Sequence, residues 1–141
     1  MLKEAKASDV IYRMDPECVE ICKCLNNMSG IRTVSSCSGH GVRRFMIVFR
    51  CCDFVSLGIL ARAIDKRYSD LNIGWSIEIS SADVPDPYPI WYKLVSNRPY
   101  LFSKNEKKDL DEDLSHIIEN IEYWSQDMFK NYFEGNEEVR S

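Results

Sequence analysis

The run Phe45-Met46-Ile47-Val48-Phe49 constrains this chain more than any other segment. Consecutive apolar residues rich in strand formers suit a strand covered on both faces, which places this one at the centre of a sheet and obliges the flanking segments to cover it. Those segments read as helices and further strands. Asp15-Pro16 is a helix start, the Asp side chain capping free N–H groups and Pro fitting the first turn, where its missing donor costs nothing. Cys18, Val19, Cys22, Leu25 and Met28 recur at helical spacing behind it, and Ser29-Gly30 ends the helix. Ile31 to Ser35 alternates as a strand.

After the central run, Asp53 caps a second helix with an apolar stripe of Phe54, Leu57, Leu60, Ala61 and Ile64. Ile73 to Ile79 alternates as a strand with one buried and one wetter face, and Pro85, Pro87 and Pro89 make Ser81 to Pro89 a loop, either an ordinary connector or a wall or lid over a site. Ile90 to Val95 forms one more strand, broken by Asn97-Arg98-Pro99. Ser103-x-x-Glu106 has the reciprocal pattern of a capping box and opens the longest helix, whose Leu110, Leu114, Ile117, Ile121, Trp124 and Met128 form a seam. That seam either packs on the chain's own sheet or joins two copies as a homodimer. The expected fold is α/β or α+β, a single-layer mixed sheet of about four strands packed by helices. Residues 1–134 form one domain and residues 135–141 a frayed tail.

Composition narrows the function classes. The 141 residues carry a net charge of −4, which argues against an extended nucleic-acid surface. No apolar run reaches the roughly 18 residues of a membrane span, and Met1 to Lys6 lacks the core of a signal peptide, so a cytoplasmic protein with no membrane partner is expected. The six cysteines then read as reduced thiols, Cys18, Cys22 and Cys24 as small half-buried apolar residues.

Chemistry concentrates in the loop Ser35-Ser36-Cys37-Ser38-Gly39-His40-Gly41-Val42-Arg43-Arg44. Its glycines let successive N–H groups face one anion, the serines add donors, and Arg43 and Arg44 supply charge with bidentate geometry. A phosphate or carboxylate ligand fits this set. Trp75, Trp91 and Tyr92 offer rings that either stack on a base or pack in the core, and Arg98 offers a further phosphate contact. Cys37 as a nucleophile would need an oriented base, which spacing to His40 alone does not guarantee. Cys37-x-x-His40 lacks the second ligand pair usual for zinc, so no metal is expected.

From Asp15 to Ala63 the chain resembles the tRNA wybutosine-synthesizing methyltransferase family through Leu25-Asn26 followed by Thr33-x-Ser35-Ser36-Cys37-Ser38-Gly39, with His40 where that family commonly has Arg. The resemblance implies an α/β domain, a nucleotide-related site at Ser35 to Gly39, and S-adenosylmethionine-dependent methylation of a modified guanosine in tRNA. Three functions follow in order. The first is a module that binds a small anionic, nucleotide-like ligand, sequestering or sensing it through Ser35 to Arg44. The second is an S-adenosylmethionine-dependent enzyme that modifies a nucleotide or tRNA. The third is a protein–protein adaptor that uses the Leu110 to Met128 seam.

Overall fold

A computed structural model describes residues 14–81, 90–101 and 103–140, with the side chains of 81, 90 and 127–140 outside the description. The Ser81 to Pro89 loop therefore falls almost wholly outside the described residues, as does the Met128 side chain of the seam. The element order is α1 (Pro16–Asn27), β1 (Ile31–Cys37), β2 (Met46–Cys51), α2 (Phe54–Ala63), β3 (Trp75–Ser81), β4 (Ile90–Ser96) and α3 (Lys104–Arg140). The strands form one sheet in the order β1-β2-β4-β3, with every pairing antiparallel rather than mixed. β2 lies inside the sheet, as its apolar run requires.

All three helices contribute to one core on one face of that sheet. Cys18, Ile21, Cys22 and Leu25 of α1, Ile59, Leu60 and Ala63 of α2, and Leu110, Leu114, Ile117 and Ile121 of α3 pack with Ile47, Phe49 and Leu94 of the strands. Side chains alternate across a sheet, so the β2 run divides: Ile47 and Phe49 face the helices, Met46 and Val48 the opposite way. Among the described residues the helices cover one face of β2, and on the other side Val48, between Ser35 and Lys93 in the strand register, is buried as well. β3 shows the limit of the layer, because Trp75 is buried, Ile77 half-buried and Ile79 exposed along one face.

The α3 seam is occupied by this core, with Leu110, Leu114, Ile117 and Ile121 all buried. A polar anchor fixes its height on the sheet: buried Asp113 accepts from the Asn72 and Ile73 N–H groups at 2.7 Å and from the Trp75 indole at 2.9 Å. Only half of the Ser103 capping box forms. The Ser103 hydroxyl accepts from the Glu106 N–H, whereas the Glu106 carboxylate turns to Arg98.

α2 presents a different face from the one its apolar residues suggested. Ser56, Ile59, Leu60 and Ala63 are buried, while Phe54 and Ala61 are exposed and Leu57 is half-buried. The Ser56 hydroxyl donates to the Ser29 carbonyl at 2.6 Å, and that bond turns Ser56 inward and Phe54 outward. The Asp53 cap forms as expected, accepting from the Val55 N–H.

β1 is longer than its alternation suggested and carries a bulge between Thr33 and Ser35. An extra residue shifts the alternation, so Ile31 and Thr33 face the helices before the bulge and Ser36 after it. Asn26 of α1 clamps the strand there: its carbonyl oxygen accepts from the Thr33 N–H and its amide donates to the Thr33 hydroxyl, both at 2.8 Å.

Candidate functional site

The segment from Cys37 to Phe45 connects β1 to β2 and is shaped by its own hydrogen bonds. The Gly39 N–H donates to the Cys37 sulfur and the His40 N–H to the Ser38 hydroxyl, each at 3.3 Å. The Gly39 carbonyl accepts from both Val42 and Arg43 N–H groups. Gly39, His40 and Gly41 all have positive φ, and at Gly39 a Cβ would stand 2.0 Å from the Arg43 carbonyl oxygen, so glycine alone fits. These bonds consume donors that an anion-binding nest would need. The loop's backbone is an organised turn, so contacts to an anion would have to come from its side chains.

Asp15 was expected to cap α1, and it does not: no side-chain cap bond forms, although Asp15 occupies the N-cap position and Pro16 follows. Its Oδ2 instead accepts from the Ser38 N–H at 2.7 Å, across 23 residues of sequence. The same oxygen lies 3.5 Å from His40 Nε2. Cys37 completes the group: one ligand atom each from Asp15, Cys37 and His40 lie within 4.8 Å of one another. Asp15 is the site residue that sequence reading missed, since a local rule accounted for it fully and its real partner is remote.

The other expected site residues divide between this cluster, the core and the far end of the sheet. Ser35 is exposed and Cys37 half-buried on the face away from the helices, His40 and Arg43 are exposed, and Gly41 is buried within the turn. The Arg43 guanidinium forms no hydrogen bond or ion pair among the described residues, whereas Arg44 reaches Glu78 on β3 at 3.3 Å. Ser38 is buried. Ser36 points the other way, its hydroxyl against the Cys18 and Cys22 thiols.

Trp75 is no stacking platform, because its ring is buried against Phe45, centroids 5.5 Å apart, with its indole N–H committed to Asp113. Tyr92 stacks on Phe49 beneath the helices. Trp91 lies on the face away from the helices, but the register places it beside Arg50, at the opposite end of β2 from the loop. The Arg50 guanidinium carbon sits 5.2 Å from the Trp91 ring centroid, with Arg32 directly across β1 from Arg50. Arg98 is paired with Glu106. The loop cluster and the Trp91 end are therefore separate places on one face.

Burial governs the thiols under the helices. It pushes Cys18 up to about 12 and Cys24 up to about 11, and raises Cys22 and Cys51 as well, so these groups stay protonated and unreactive. A groove of about 650 Å³ opens on that helical side, lined by Cys24, Met28, Val55, Ile59, Ile121 and Ser125, away from Cys37 and His40. Among the described residues, no helix is long and apolar enough to cross a membrane. No protein-family model, curated protein or solved structure matches this chain.

Proposed function

We propose that the protein binds a small anionic ligand of the nucleotide class at the β1–β2 loop, sequestering or sensing it without transforming it. The observation that carries this reading is the exposed Arg43 guanidinium, unpartnered among the described residues, beside a turn that glycines lock in one shape. The loop backbone is fixed before a ligand arrives, so binding a phosphate orders only the Arg43 side chain and not the loop that carries it. Arg44, held only by an exposed ion pair with Glu78, can transfer to the ligand at small cost. His40 and Ser35 border the same edge and add donors. The occupied α3 seam weighs against the adaptor reading, since its Leu110 to Ile121 surface is already spent on the chain's own core.

The test is thermal-shift screening of the chelator-treated protein against nucleoside mono-, di- and triphosphates, cyclic nucleotides and S-adenosylmethionine. A ligand that binds the folded state alone raises the melting temperature. A rise with a nucleotide that vanishes in Arg43→Ala/Arg44→Ala is the expected result. A rise with S-adenosylmethionine alone would favour the nucleotide- or tRNA-modifying enzyme that the Ser35 to Gly39 motif resembles. No rise with any of them overturns the ligand-binding reading.

A further inference from the structure

We infer that Asp15, Cys37 and His40 form a binding site for one divalent ion of the zinc class, an assignment that goes beyond the anion-binding reading. Three features carry it. The first is convergence: a carboxylate oxygen, a thiol sulfur and an imidazole nitrogen lie within 4.8 Å of one another, with the oxygen and Nε2 already at 3.5 Å. Two ligands of a tetrahedral zinc ion lie about 3.3–3.8 Å apart, given bonds of about 2.0–2.3 Å. A modest inward movement of half-buried Cys37 closes the triangle.

The second feature is orientation. The Ser38 N–H holds the Asp15 carboxylate and the Gly39 N–H holds the Cys37 sulfur, so two of the three ligands are aimed by backbone donors outside the ligand set. The third is the diverted cap. Asp15 stands where an Asp stabilises a helix start by accepting its free N–H groups, yet its oxygen is turned to Ser38 and His40 instead.

A cysteine nucleophile is hydrogen-bonded to its base, whereas among the described residues no hydrogen bond joins the Cys37 thiol to His40. Mixed sulfur, nitrogen and oxygen donors exclude magnesium and calcium, which prefer all-oxygen shells, and suit zinc. Three protein ligands leave one coordination position open, the arrangement of sites that admit water or an anionic group. Binding moves one proton: the Cys37 S–H bond breaks, the sulfur bonds the ion as thiolate and the proton leaves to solvent, with no change of oxidation state.

Cobalt(II) titration into the chelator-stripped full-length chain tests the site, because cobalt occupies zinc sites and reports thiolate ligation by a sulfur-to-metal charge-transfer band. The expected result is saturation at one equivalent, displacement of cobalt by zinc, and loss of the band in Cys37→Ser but not in Cys52→Ser. His40→Gln, at an exposed side chain, and Asp15→Asn, which keeps an acceptor for Ser38, should each weaken zinc binding by about tenfold or more. Circular dichroism verifies that each variant is folded, and His40→Gln decides the matter if Asp15→Asn is not. Absence of the band, its survival in Cys37→Ser, or unchanged zinc affinity in His40→Gln overturns the assignment. The nucleotide screen is run without metal, so a failure here leaves that reading standing and the reverse also holds.

Discussion

Gly39 bears more of the loop's geometry than any charged neighbour. Its φ of +84° lies where side chains are disfavoured, and a Cβ would meet the Arg43 carbonyl oxygen, which is backbone and cannot swing aside. Gly39→Ala should therefore cost about 2 kcal/mol or more, read as a lower denaturant midpoint with unchanged slope. The same substitution should abolish any ligand or cobalt response, since Cys37, Ser38 and His40 take their positions from this turn. Loop residues of this kind were legible in sequence as a mixture of glycines, hydroxyls, a thiol and an imidazole. Asp15 was not, because an Asp before Pro16 satisfies a local rule completely, and nothing in the intervening residues announces a contact with Ser38.

Among the elements, α1, the four strands and the start of α3 follow from periodicity and from Gly and Pro punctuation, and the structure places them close to the expected bounds. α2 shows where periodicity fails. Its residues are apolar nearly all round, so the pattern names a helix without naming the buried face, and one hydroxyl bond from Ser56 to Ser29 makes the choice. The β1 bulge escaped for a related reason: an inserted residue shows only in strand pairing, which a single chain segment does not reveal. At this scale the Asp53 cap gives a paired test. Asp53→Ala removes the acceptor of the Val55 N–H and should cost about 1 kcal/mol, measured by urea unfolding. Asp53→Asn, which retains an acceptor, should recover most of it.

Across the whole molecule, burial of thiols ties stability to alkaline pH. In the unfolded chain each thiol loses its proton near the ordinary value of 9.0, whereas the folded state keeps Cys24 protonated to about 11 and Cys18 to about 12. Between those limits the folded state binds more protons, so this contribution is complete below pH 9.0 and falls as pH rises. The urea midpoint should drop as pH rises from about 9 to about 11, with a shallower drop in Cys24→Ala. A flat profile would mean that these thiols are open to solvent.

The clamp of Asn26 on Thr33 has a consequence for how copies of the molecule meet. With order β1-β2-β4-β3, β1 is an outer strand, and an outer strand normally offers a row of unpaired backbone groups as a template for another chain. Here the Thr33 rung is already taken by a side chain of the same molecule, and the bulge beside it breaks the even spacing a visiting strand would need to follow. Removing one amide at position 26 would reopen that rung, turning a closed margin of the sheet into a place where growth into a fibril can begin.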